Sequence, residues 1–193
     1  MRRDLIKPDL RSSFLSCEKD AQIILRKLFV ESQPHSNDLK RLMIINTPNC
    51  LSEDNIAYNK VKDISLKDLF ENKQVTLEPR IFFNEHEEEK SYILLTFDGF
   101  LPNEINPEYR DCTINIDVIS PTDCWTLENY QIRPLKIIGI IDGILNNCKL
   151  SGIGILNFLG CNQITLDENF SGYHLMYRAI HDVDGDDKIL LEE

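Results

Sequence analysis

The sequence is short of alanine, of basic residues and of long apolar runs, and each shortage narrows what the chain does. No stretch approaches the ~18 consecutive apolar residues that a membrane span needs, so no membrane partner is expected. The opening MRRDLIKPDLRSSF carries Arg2 and Arg3 with no apolar segment behind them, so no export signal is read. Lysine and arginine total 21 against 32 aspartates and glutamates, a net charge of −11. A protein built to grip nucleic acid needs a net basic face to neutralise phosphate, and this balance disfavours one. Only 3 alanines stand against 24 isoleucines, 24 leucines and 16 asparagines, the bias an AT-rich coding sequence tends to give.

Motifs are equally sparse. The six cysteines, at 17, 50, 112, 124, 148 and 161, form no CxxC pair, and a zinc site usually places two ligands within a few residues. Without an export signal, most of them read as small buried hydrophobes in a reducing compartment. No GxSxG, GxGxxG or GxxxxGK[ST] occurs, and GIGILNFLG (152–160) follows a helix and feeds a strand, the wrong context for a phosphate cradle. The four histidines (35, 86, 174, 181) never pair at i+2 or i+4. No catalytic residue and no cofactor is assigned, and the chain reads as a non-enzyme.

What is present is a foldable pattern. At 193 residues, 42% hydrophobic and 27% charged, the chain suits a single domain spanning 1–193. Within it, 1–80 reads as an N-terminal arm, a helix and a variable elaboration, and 81–193 as a core of sheet, helix and hairpin. Ile24, Leu25, Leu28 and Phe29 fall at helical spacing and predict a helix over about 17–31, with Ser16 as its N-cap and an end before Pro34. The first fourteen residues have no periodicity and read as an extended arm. RLMIIN (41–46) predicts a strand closed by Thr47-Pro48-Asn49, and Ile64, Leu66, Leu69 and Phe70 a turn or two of helix. LEPRIFF (77–83) reads as a strand, NEHEEEK (84–90) as a polar turn, Tyr92–Phe97 as a buried strand, and 98–111 as a loop. CTINIDVISP (112–121) alternates at the period of a half-buried strand.

The main helix is predicted over about 133–147. Pro134 suits its first position, and Ile137, Ile138, Ile141, Ile144 and Leu145 make one apolar stripe. Lys136, Gly139, Gly143 and Asn147 lie opposite, and Asn146-Asn147 suit a left-handed C-terminal cap. Strands at 152–166 and 172–183 follow. The class is α+β: an antiparallel or mixed sheet with the main helix packed on it, plus the N-terminal helix.

Few side chains suggest a site. Asp182, Asp184 and Asp186 occupy alternate positions of a calcium-type loop, but the glycine falls at its fourth position, Gly185, where the sixth is required. They are the weak metal candidates, and the bland reading is a solvated acidic end. Glu87–Glu89 with Lys90 contain an E-x-K triplet of the nuclease kind without an upstream acidic partner, and read as an exposed hairpin tip. Trp125, the only tryptophan, reads first as a lid over the core and second as an interface anchor. Tyr109 and Arg110 are interface candidates because those residue types are enriched in binding hot spots. Arg2 and Arg3 join them on the N-terminal arm.

In element order, residues 91–183 (strand SYILLTFDGF, strand CTINIDVIS, helix RPLKIIGIIDGILNN, hairpin GIGILNFLG to GYHLMYRAIHDV) resemble the tail terminator, or tail-completion, neck proteins of tailed bacteriophages. The likeness rests on element order and covers about half the chain. The Ile- and Asn-rich composition suits a phage of an AT-rich host, of the crAss-like type. The resemblance implies a structural virion protein, assembled in the host cytoplasm and placed in the tail or neck. It implies a homo-oligomeric ring, commonly a hexamer, capping the tail tube and joining it to the head connector on the portal side. DNA would pass through without specific binding, and acidic side chains around a lumen would repel it. Residues 1–80, longer than a minimal member needs, imply an added docking arm that could pair by strand addition. The competing readings are an acidic adaptor or inhibitor of a basic protein partner, and a metal-dependent enzyme of unrecognised class.

Overall fold

A computed structural model describes residues 13–78, 90–103, 110–150 and 153–181. Helix α1 (Ser13–Arg26) runs into a wider π turn (Lys27–Glu31) and buries Ala21, Ile24, Leu25, Leu28 and Phe29 along one side. It opens three residues earlier than its expected cap, so Ser16 lies inside the first turn. The strand expected at 41–46 is not formed. Those residues end helix α2 (His35–Ile44), in which Leu39, Leu42 and Met43 recur at i, i+3 and i+4 and are fully buried. Helical burial outweighs the β preference of Ile44-Ile45 there, because a short apolar run fits either period.

Helix α3 (Leu66–Glu71) forms where Ile64–Phe70 predicted it. Ser65 and Asp68 cap it reciprocally: the Asp68 amide donates to Ser65 Oγ (3.2 Å) and the Ser65 amide to the Asp68 carboxylate (2.7 Å). The Ser65 hydroxyl, which donates to the same carboxylate (2.7 Å), and then the Ser65 amide hold the Asp68 carboxyl below its ordinary range.

Strand β1 (Val75–Thr76) runs parallel to β2 (Tyr92–Pro102). That strand ends before the one expected at 77–83: Leu77 and Glu78 are not strand, and the rest of LEPRIFF from Pro79, with the acidic turn at 84–89, lies outside the described residues. Part of the expected loop 98–111 is strand. Strand β2 continues past Asp98-Gly99 through a bulge, because Gly99 at φ 64 absorbs the extra residue and does not reverse the chain. Strand β3 (Arg110–Pro121), helix α4 (Arg133–Leu145), the short pair β4 (Lys149–Leu150) and β5 (Gly154–Ile155), and strands β6 (Asn157–Thr165) and β7 (Phe170–His181) follow. Pro134 occupies the second helical position, where a missing N–H is still harmless; at the far end the C-cap Asn146 is extended, and only Asn147 after it is left-handed (φ 57), its amide donating to the Leu156 carbonyl (2.8 Å).

The five-stranded sheet has the order β1-β2-β3-β7-β6, antiparallel except at β1–β2. One face carries Ile93, Leu95, Ile114, Ile116, Val118, Leu175 and Tyr177 into the same buried cluster as α1, α2 and the Ile137, Ile141 and Leu145 stripe of α4. The Tyr177 hydroxyl donates to Asp142 (3.0 Å) and ties β7 to α4. The opposite face is mostly polar, with one apolar patch of Tyr92, Leu94 and Ile119 against Ile164 and Phe170. Strands β3 and β7 approach so closely at Gly172 that a Cβ would lie 1.8 Å from the Val118 carbonyl oxygen.

Candidate functional site

Between β3 and α4 the chain folds back as a small hairpin. Thr126 bridges Ile132, the Leu127 amide donates to the Gln131 carbonyl (2.8 Å), and the Arg133 amide to that of Trp125 (2.7 Å). At its tip Asn129 and Tyr130 both stand at positive φ, 58 and 60. That pair of conformations belongs to a tight reversing turn, normally written Asn-Gly. A side chain in the second position costs about 1–2 kcal/mol. Tyr130 contributes no packing in return, since it is 100% exposed.

The hairpin is held from beneath by Arg133, the largest fully buried side chain. Its guanidinium donates to four main-chain carbonyls: Leu42 (2.6 Å), Ile45 (2.7 Å), Thr47 (3.0 Å) and Cys124 (2.7 Å). Two of these end α2, so the cation sits at the negative pole of that helix and satisfies carbonyls the helix leaves free. Burial pushes the guanidinium below its ordinary pKa, though arginine stays charged. The strained tip is thus mounted on a buried residue held by four main-chain hydrogen bonds.

Beside the hairpin, α4 offers a groove of about 440 Å³ lined by Leu135, Lys136, Gly139, Ile140, Gly143 and Ile144, with His35 and Asp38 of α2 as the far wall. A Cβ at Gly139 or Gly143 would meet nothing within 4 Å, so the groove floor opens to solvent. Leu135 in its lining is 42% exposed, as is Ile132 in the hairpin before α4. Lys136 also lines a smaller hollow of about 260 Å³ with Glu128, Asn129 and Gln131, which makes groove and hairpin one continuous surface.

Trp125 is half-buried. It stacks on Tyr173 (6.4 Å between centroids, 28°) and donates its indole N–H to the Ser120 carbonyl (3.3 Å), so it lies against the sheet as a lid. Arg110 opens β3 opposite Pro102 and His181. Tyr109, Arg2, Arg3, Asp182, Asp184, Asp186 and Glu87–Glu89 lie outside the described residues. Among the described residues no group of three His, Cys, Asp or Glu converges as metal ligands, and no helix is long and apolar enough to cross a membrane.

Sequence reasoning missed three features. Tyr130 carries no local turn signal beyond the preceding Asn129. Arg133 reads as an ordinary helix start in the sequence, since three of its four acceptors lie 86 to 91 residues away. His174 bonds Asp117 across the register of β3 and β7 on the polar sheet face, a pair visible only once that register is known. Leu94 and Asn162 flank it in the same row, which supplies no hydroxyl or thiol for it to activate.

These features define an α+β protein with one covered sheet face, one polar face, and an exposed tyrosine turn beside a partly apolar groove. The chain belongs to the YomW family, which matches residues 36–179, from α2 to β7 and including the hairpin and most of the groove. That family is phage-derived, of the Bacillus phage SPBc2 type, and membership supports a phage-encoded protein. No curated protein matches the chain.

Proposed function

We propose that this chain is a structural protein of a phage neck or tail. It assembles into a homo-oligomeric ring, a hexamer in the form the resemblance implies, which caps the tail tube and joins it to the head connector. The observation that carries the reading is Tyr130, fully exposed in a left-handed turn anchored by Arg133. Strain of this kind persists where the surrounding structure enforces it, and aromatic residues anchor protein contacts at low entropic cost. The net charge of −11 suits a ring whose lumen passes DNA without holding it. Quantitative mass spectrometry of purified phage particles tests the proposal. The chain is expected in every particle at ring stoichiometry, and Tyr130→Ala should leave unjoined heads and tails. Its absence from intact particles overturns the reading. The same charge favours a second reading, an acidic adaptor for a basic protein, which predicts a monomer whose partner binding weakens with salt.

A further inference from the structure

Strand β6 is an edge of the five-stranded sheet, so one side of its backbone has no strand partner among the described residues. Natural edges of this length are protected by charge, by proline or by a covering element. Strand β6 has nine residues and no proline, and from Leu150 to Leu166 the chain contains no Asp, Glu, Lys or Arg. That gap is conspicuous in a sequence that is 27% charged. Among the described residues its one protective device is the bulge near Leu159. The other edge strand, β1, has two residues and offers little to pair with. Exposed apolar side chains flank the same strand at both ends, Ile155, Phe158 and Leu159 near its start and Leu166 just past its finish. Ile155, Phe158, Leu159 and Leu166 are four of the eleven large apolar side chains that stand exposed among the described residues.

We infer that β6 is the edge at which a second copy of this chain joins, extending the sheet from one subunit into the next. Charge selects the occupant. Two molecules of net −11 repel over most of their surfaces, and the charge-free strip is where they can approach closely. Main-chain hydrogen bonds along the strand give the contact its affinity, and the apolar side chains exclude water from it. The inference rests on the assembly reading and names the surface that reading left open.

The test compares the full-length chain with the double variant Leu159→Lys, Asn162→Lys in light-scattering mass measurements over a hundredfold concentration range. The variant lowers the net charge to −11 + 2 = −9, so general repulsion weakens and any dissociation belongs to the edge. The unaltered chain is expected as an oligomer, and the variant as a monomer with the same circular dichroism and melting profile. Hydrogen exchange on the unaltered chain gives a second readout that needs no folded variant: the amides of 157–165 that face away from β7 should gain at least tenfold protection between dilute and concentrated samples. An unaltered chain that stays monomeric, a folded variant that keeps the oligomeric mass, or concentration-dependent protection confined to other segments overturns the inference. A chain present in particles but joined through another face would sink this inference alone, whereas a β6-joined oligomer absent from particles would sink the neck assignment alone.

Discussion

At the scale of single residues, buried charge and backbone strain separate what holds the fold from what the fold displays. Arg133→Lys keeps a cation but loses the planar fork that reaches four carbonyls at once. Leaving buried carbonyls unpaired makes this change destabilising by about 2–4 kcal/mol, read as a lower urea midpoint at unchanged slope. Tyr130→Gly has the opposite sign. Relief of the left-handed strain, less the entropy glycine adds to the unfolded chain, should stabilise by about 0.5–1 kcal/mol. The same variant should join particles poorly, so stability and assembly would move in opposite directions.

Cysteine titration supplies a pH dependence at this scale. Burial pushes the Cys112 thiol up to about 12 and the Cys17 thiol up to about 11. Both groups keep their proton in the folded protein above the ~8.5 at which an unfolded thiol releases it. Their contribution is therefore complete below pH 8.5 and declines as pH rises towards 11–12. Denaturation midpoints at pH 7.5 and 10 should show the loss, and Cys112→Ala should reduce the difference.

Single elements were legible in the sequence where one period dominated. The stripe Ile137, Ile141 and Leu145 and the alternation of Ile114, Ile116 and Val118 marked α4 and β3 because each repeats long enough to exclude the other period. RLMIIN failed because six residues satisfy both periods, and only packing against Phe29 and the sheet decides between them. The hairpin and its anchor are less legible. Nothing in ENYQ signals two left-handed residues, and the carbonyls that fix Arg133 come from distant elements. Gly172 shows the same limit, since its glycine requirement arises from the neighbouring strand. Gly172→Ala should force β3 and β7 apart and destabilise by about 2–3 kcal/mol, with exchange protection lost first across that pair of strands.

At the scale of the whole molecule, the arrangement is a polarised subunit. Helices cover one sheet face, the tyrosine hairpin and the α4 groove lie side by side, and an uncharged strand forms one rim. Charge sets the response to salt. Repulsion between copies of net −11 is screened as ionic strength rises, whereas a contact through the charge-free β6 strip is little affected. The most direct measurement is the mass of the full-length chain in solution from low to high salt. The account predicts a defined multimer that holds or strengthens as salt rises; a single-copy species throughout, even when concentrated, would contradict it.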